Sequence, residues 1–432
     1  MKVLLATMQY GRGYAFGTER YVTLLREGLA ARGHSAVVLA GDPEHRGPDV
    51  PLGTPRPDEP DILHAPTRGW SVIRGPGRRA WEALLHRVSP DVVHVVNAAH
   101  IGVGLVDAAR RRGCGAVVTV VDFWWICPRH TLLHYRGGVC AGDVPWHECL
   151  RCVLAGNPRP VVQRLARHGL AAYTVLPALW AASGLARGLA PDELVRFTRR
   201  RAWLLATLDR ADAVVFLSRG AQRRLGPHLA RATQHLVPVG LEPRWFAARR
   251  TESLPPGPRD PAGLTLGYVG ALAAHKGPHL LLAALRRLGW TRTLLRVAGT
   301  AVDAGYEAAL RAAAAGLRVE FCGRVPTEAM PEFLRGLDAL VVPSTWPENQ
   351  PQTVLEALTT GTPVLASRVD GIREVVPDES SLFEPGSVES LAARLEAWVA
   401  DPPRVRPPAP WTADEMVAAT LALYEAVVAA AR

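Results

Sequence analysis

The sequence predicts an α/β chain built from two domains, each a parallel β-sheet wrapped by helices, facing one another across a cleft. Three observations carry this. Short, near-continuous Val/Ile/Leu runs alternate with helical patterns, as in sheets buried on both faces. The alternation stops at a Pro/Gly-rich stretch near residues 236–263 and then restarts. The 432 residues are enough for two or three domains at about 100–200 residues each.

The elements follow in order. KVLLATM (2–8) reads as a first buried strand, and a helix over about 18–32 ends at Gly33. SAVVLAG (35–41) is the next strand, followed by a Pro/Arg-rich stretch with a strand candidate at DILHA. DVVHVV (91–96), GAVVTVV (115–121) and ADAVVFLS (211–218) continue the sheet. A helical insertion is expected over about 155–205. The first domain is placed at 1–240 and a linker at 241–262. The second domain, 263–405, has strands at LTLGYVG, TLLRVAG, RVEFCG, DALVVPS and TPVLAS. A Pro-rich break precedes a last helix over 411–432, opened by a Thr412/Glu415 capping box.

Composition narrows the function classes. Hydrophobic residues make up 48% and charged residues 21%, an ordinary globular balance. Six cysteines do not make a disulfide scaffold. No apolar run is long enough for an ordinary spanning helix, and MKVLLATMQY lacks a signal-peptide pattern. A cytoplasmic location is the default expectation. The formal net charge is +10, concentrated in the first 250 residues and most of all in 151–250. A basic face there suits an anionic acceptor, a membrane surface or nucleic acid, or is simply a solvated surface. The uncharged segment 169–186, between Arg167 and Arg187, is a buried insertion or a membrane-surface element. No Walker loop, nucleophile elbow or RNA-binding aromatic motif is present, and nucleic acid is not an expected partner.

In parallel α/β proteins ligands sit beyond the carboxyl ends of strands, so the loops after strands carry the candidate chemistry. After the first strand, Gly11-Arg12-Gly13-Tyr14-Ala15-Phe16-Gly17 opens a helix. It could face phosphate or sugar, but its spacing is not a clean dinucleotide fingerprint. In the second domain Gly270 begins a loop ending His275-Lys276-Gly277-Pro278. Lys2 and Lys276 are the only lysines in an arginine-rich chain, which marks Lys276 as a position where Arg would not serve. At a helix start it would favour a pyrophosphate. After DALVVPS, Glu348 lies in the loop and Glu356 eight residues later on the next helix, so carboxylates flank the amides of that helix start. Cys127, Cys140, Cys149 and Cys152 fall within 26 residues and end in Cys-x-x-Cys. A structural zinc site and buried thiols both fit that spacing. No Asp-x-Asp occurs, which removes the commonest cradle for a divalent cation on a nucleotide diphosphate.

Three stretches, GYVGALAAHKGPHLLLAAL, VEFCGRVPTEAMPEFLRGLDALVVPS and WPENQPQTVLEALTTGTPVLASRVDGIREVV, resemble the donor domain of family 4 (group 1) retaining glycosyltransferases of GT-B fold. GTERYVTLLREGLAARGHSAVVLAGD and TVVDFWWICPR extend the resemblance to the first half. It implies two Rossmann-like domains, with the last helix crossing back to the first. It also implies sugar transfer from a nucleotide-diphospho-sugar without a catalytic metal. The acceptor would be lipid-linked, at the cell surface or a small natural product, in polysaccharide or glycoconjugate biosynthesis. By the same resemblance Glu356 would bind ribose and Glu348 the transferred sugar, while Lys276 would neutralise the departing diphosphate. Asn349, Gln350, Pro351 and Gln352, with Thr353, would offer main-chain amides. Gly323, Arg324 and Val325 would lie along the base, beside Gly270, and Gly17 would approach the diphosphate from the first domain. The chain departs from the family pattern at Ala271 (usually Arg), Val121 (usually His) and Phe16 (usually Gly). Losing that His moves the acceptor-side catalytic role to His100, Asp122 or Arg129. Together the departures leave a degenerate, partner- or nucleotide-binding homologue as the alternative, with a nicotinamide dehydrogenase a distant third.

Overall fold

In this computed structural model the residues described are 1–11, 17–41, 50–65, 76–99, 101–157, 159–167, 197–250, 257–301, 303–376, 378–402 and 409–431. The chain divides into two compact units, Met1–Pro238 with Asp414–Arg432, and Val239–Ala413. Most of the expected insertion, including 169–186, lies outside the described residues.

The first unit holds an eight-stranded sheet in the order β3-β4-β2-β1-β5-β6-β7-β8. Its strands are β1 (Lys2–Thr7), β2 (Ser35–Gly41), β3 (Pro55–Arg56), β4 (Glu59–Ala65), β5 (Val92–Val95), β6 (Gly115–Val120), β7 (Ala213–Phe216) and β8 (Thr233–Leu236). All pairs are parallel except the short β3–β4 edge. Every residue of β5, β6 and β7 is buried, the pattern of a sheet covered on both faces. Its helices are α1 (Gly17–Ala30), α2 (Arg78–Val88), α3 (Gly104–Arg111), α4 (Trp146–Ala155), α5 (Pro160–Arg167), α6 (Arg200–Leu208) and α7 (Arg219–Leu225). α1 buries Tyr21, Val22, Leu24, Leu25 and Leu29, one apolar stripe at helical spacing.

The second unit holds six parallel strands in the order β11-β10-β9-β12-β13-β14. These are β9 (Thr265–Val269), β10 (Leu294–Ala298), β11 (Val319–Gly323), β12 (Ala339–Val342), β13 (Val364–Ser367) and β14 (Leu382–Phe383). Counted within the unit this is the 3-2-1-4-5-6 order of doubly wound sheets, whose direction of winding reverses between β9 and β12. Around it lie α8 (Pro243–Ala247), α9 (Pro278–Arg287), α10 (Ala304–Ala313), α11 (Met330–Arg335), α12 (Gln352–Thr360), α13 (Asp370–Arg373) and α14 (Val388–Ala400). One core layer is built around Leu266, Leu281, Leu285 and Leu395, the other around Leu334, Leu340, Val354 and Ile372.

The last helix, α15 (Ala413–Ala431), returns to the first unit. A Cβ on Gly28 would lie 2.5 Å from Val417 Cγ2, so a glycine in α1 lets the two helices approach. Tyr424 Oη lies 2.6 Å from Nδ1 of His94, whose Nε2 lies 2.6 Å from Thr119 Oγ1. This buried polar chain ties α15 to β5 and β6. Burial pushes the His94 pKa down to about 3, so the ring is neutral.

Candidate functional site

The winding reversal between β9 and β12 places two loops side by side at the carboxyl end of the second sheet. This is where a doubly wound sheet opens a crevice. After β9 a one-turn 3-10 helix, Ala274–Lys276, ends at Gly277, which caps α9 at φ 73°. A Cβ at Gly277 would stand 2.0 Å from the Pro343 carbonyl oxygen, so both backbone conformation and the neighbouring loop require glycine. The loop after β12 is laced to this turn. Thr345 donates its N–H to the His275 carbonyl at 2.9 Å, and the His275 and Trp346 rings meet edge-on at 5.5 Å.

At the centre, Lys276 Nζ donates to Glu348 Oε1 at 2.7 Å. The Ser344 hydroxyl donates to the same oxygen at 2.6 Å. Lys276 also stands over the Trp346 ring, 4.7 Å from its centroid, a cation–π contact. Glu348 is 7% exposed. Burial raises its pKa, but the Lys276 charge and the bonds from Lys276 and Ser344 outweigh it, leaving the carboxyl below its ordinary value. The pair is therefore ionised. Gly371, at the start of α13, lies beneath: its N–H donates to the Glu348 carbonyl at 3.0 Å. A Cβ there would meet the Asn349 and Glu348 carbonyl oxygens at 2.1 and 2.4 Å.

The other expected donor residues fall around this pair. Gly270 follows β9, where Tyr268 Oη donates to the Ala271 carbonyl at 2.7 Å. Gly323 closes β11, followed by exposed Arg324 and by Val325, which packs on the second core layer. Asn349 is buried. Gln350 spends its side chain on the Val239 main chain, accepting from the N–H and donating to the carbonyl. Pro351 is the residue before α12, and no side chain caps that helix. The expectation that Pro351 offers an amide is corrected: proline carries no N–H. Gln352 and Thr353 open α12, and Glu356 is buried one turn on.

In the first unit Gly17 is the exposed first residue of α1. His100 lies outside the described residues. Asp122 follows β6, and its carboxylate accepts from the Trp124 N–H and from His130 Nδ1, both at 2.8 Å. The four cysteines are gathered in one region. Cys149 and Cys152 sit on α4, Cys127 in the loop after β6, and Cys140 beyond the Leu133–Val139 bridge. Burial raises the pKa of the Cys127 and Cys152 thiols, and that of Cys149 to about 12. All six cysteines are free thiols. Among the described residues no group of three or more His, Cys, Asp or Glu has an arrangement that could hold a metal ion.

The sequence reasoning missed Ser344, Gly371 and His130. Ser344 and Gly371 lie inside the motif stretches, but their roles depend on which loops the fold brings together. His130 lies in sequence among the cysteines, and nothing local marks it as a partner of Asp122.

Comparison with known proteins gives the class to which this fold and paired-loop site belong. Residues 250–408 match the family described as glycosyl transferases group 1. Residues 16–137 match glycosyltransferase family 4. The chain belongs to this family and is a glycosyltransferase. It is 26% identical over 415 residues to glycogen synthase of Mycobacterium tuberculosis, covering 93% of this chain and 87% of that one. Its fold is similar to that of sucrose-phosphate synthase from Thermosynechococcus elongatus, with TM-score 0.63, 18% identity and 99% of both chains covered. It is also similar to Anabaena Alr3699/HepE, solved with UDP-glucose, at TM-score 0.59 and 14% identity over 100% of this chain and 99% of that one. Both solved structures are GT-B enzymes.

Proposed function

We propose that this glycosyltransferase moves a sugar from a nucleotide-diphospho-sugar to an acceptor hydroxyl, with retention and without a catalytic metal. The observation that carries the reading is the ionised Lys276–Glu348 pair at the winding reversal of the second sheet. When the glycosidic phosphate bond breaks, negative charge grows on the diphosphate, and a fixed cation aimed at it lowers the barrier most. Lys276 supplies that cation. Glu348, itself held by Ser344, keeps its ammonium in place, and the uncapped start of α12 adds dipole. Glu356 takes the ribose hydroxyls, and Gly323, Arg324 and Val325 take the base. Ala271 in place of the family's arginine leaves Lys276 as the principal phosphate charge. The acceptor is a lipid-linked, cell-surface or small natural-product hydroxyl compound bound by the basic first unit. The glycogen synthase relative, named for a glycan product, supports a sugar acceptor.

Calorimetric titration with UDP, GDP, ADP and dTDP in EDTA tests the reading, repeated on Lys276→Ala and Glu356→Ala. Micromolar binding of one nucleotide, weakened in both variants, is the expected result. Binding that needs added metal, or equal binding by both variants, would overturn the site assignment.

A further inference from the structure

Resting on that reading, we infer that Asp122 and His130 form an acceptor-binding dyad, with His130 Nε2 receiving the hydrogen bond of the acceptor hydroxyl. β6 lies one strand from the first unit's own winding reversal, between β1 and β5. The loop after β6 therefore leaves the sheet at its ligand-binding edge. Asp122 is the second residue past that strand.

Its carboxylate is fixed at one oxygen by the Trp124 N–H and at the other by His130 Nδ1, each at 2.8 Å. A carboxylate only accepts, so in the neutral imidazole Nδ1 carries the proton and Nε2 is left as the acceptor. Among the described residues Nε2 has no protein partner, and the His130 side chain is 32% exposed. A chemically defined acceptor atom thus sits on a partly exposed side chain beyond the carboxyl end of β6.

The backbone is committed to this placement. His130 has φ 65°, a left-handed conformation that costs a side-chain-bearing residue about 1–2 kcal/mol. It is held there by its N–H to the Cys127 carbonyl at 3.0 Å and its carbonyl from the Phe123 N–H at 3.3 Å. The loop closes a ring whose effect is to turn the imidazole back onto Asp122. Leu132, two residues on, is also left-handed at φ 54° and fully buried, which anchors the far side of the turn. Hydrogen bonding to an unprotonated ring nitrogen selects substrates that present a hydroxyl donor. Asp122 is then a positioning residue that sets the tautomer.

The test uses the full chain and three variants, Asp122→Asn, His130→Ala and His130→Gln. UDP binding is read by calorimetry. UDP release from UDP-glucose is read first in water alone, then with glucose, glycerol and myo-inositol as hydroxyl probes. All variants are expected to bind UDP like wild type, because the donor site lies in the second unit and none of its residues is changed. Asp122→Asn presents an amide N–H to Nδ1, moves the ring proton to Nε2, and is expected to lower probe-stimulated release tenfold or more. His130→Ala should do the same, and His130→Gln, which restores an acceptor oxygen, should recover part of it. Probe-stimulated release unchanged in Asp122→Asn and His130→Ala would overturn the dyad while leaving the donor reading intact. Equal loss in His130→Ala and His130→Gln together with lost UDP binding would assign the pair to folding and overturn the dyad. A wild-type chain that releases UDP from UDP-glucose in water but is stimulated by none of the probes overturns the dyad and leaves the donor reading intact, and one that binds none of UDP, GDP, ADP and dTDP overturns the donor reading.

Discussion

Replacing Lys276 by alanine separates the electrostatic argument from a merely structural one. Lys276 Nζ and Glu348 Oε1 are 2.7 Å apart, with side chains 26% and 8% exposed. At an effective dielectric of about 20 the direct attraction is about 6 kcal/mol. Most of it offsets the cost of burying the carboxylate, and water reaching the vacated lysine position recovers some of the rest. Removing one partner of such a pair costs about 3 kcal/mol, at the low end for buried pairs. For a unit the size of Val239–Ala413, that lowers its Tm by about 6–12 °C. Lys276→Ala combined with Glu348→Gln removes the orphaned charge as well, and about 2 kcal/mol should return. Scanning calorimetry at pH 7 on the four proteins of the cycle reads the coupling. Activity should not follow stability. Sugar transfer should stay about 100–1000-fold down in the double variant, because the cation that meets the leaving group is still missing. Because the Glu348 carboxyl is depressed, the pair's contribution is complete above the unfolded carboxylate pKa and fades as pH falls below it. If the double variant is no more stable than Lys276→Ala, or if it regains activity, the assignment of Lys276 as a buried-pair cation serving the diphosphate is wrong.

Three further outcomes follow from the same geometry. His94 is neutral with a pKa near 3, whereas an unfolded histidine protonates near 6.5. The unfolded state therefore binds more protons in that window, and lowering pH from 7 to 5 should cost about 2 kcal/mol. Urea midpoints at the two pH values should show that slope in wild type and not in His94→Gln; equal slopes would refute it. Gly371→Ala would place a methyl against the Glu348 and Asn349 carbonyls. It should lower transfer at least tenfold while the chain remains folded by circular dichroism, and wild-type activity would show that the loop gives way freely. Thiol titration of the denatured, unreduced protein should return all six cysteines. A count of four or two would reveal disulfides, and zinc near one per chain by elemental analysis would show that the cluster around Cys149 closes on a metal.

Much of the fold was legible because burial on both sheet faces writes itself into the sequence. GAVVTVV and ADAVVFLS could hardly be anything but central strands, and both are. The last helix was legible as a helix from its capping box and Pro-rich break. Its seat on α1 depends on Gly28 and on the His94–Tyr424 contact, partners separated by hundreds of residues. No local period encodes such a pairing. The start of the expected linker likewise depends on a distant partner. The Leu241 N–H pairs with the Trp411 carbonyl and the Ala413 N–H with the Leu241 carbonyl. Leu241, where the expected linker begins, is thereby paired within the second unit.

The site shows the same division between local and topological information. Lys276 stood out because lysine is so rare in this chain, and Glu348 because of its spacing from Glu356. Neither signal says that the two side chains touch. Contact follows from the strand order: β9 and β12 are 73 residues apart at Thr265 and Asp338, yet the Asp338 carboxylate accepts the Thr265 N–H at 2.8 Å. Once those strands are neighbours, the loops at their carboxyl ends must converge, and a cation in one meets a carboxylate in the other. Ser344 then becomes meaningful as the second donor to Glu348, and Gly371 as the floor beneath it. His130 resisted detection because its role needs a left-handed turn that brings it back eight residues to Asp122. Histidine adopts that conformation more readily than most residues, but only the Cys127 and Phe123 main-chain bonds determine that it does so here. The chemistry was therefore readable wherever a residue type was unusual for its surroundings. It was hidden wherever an ordinary residue acquired its function from the turn or the strand order that placed it.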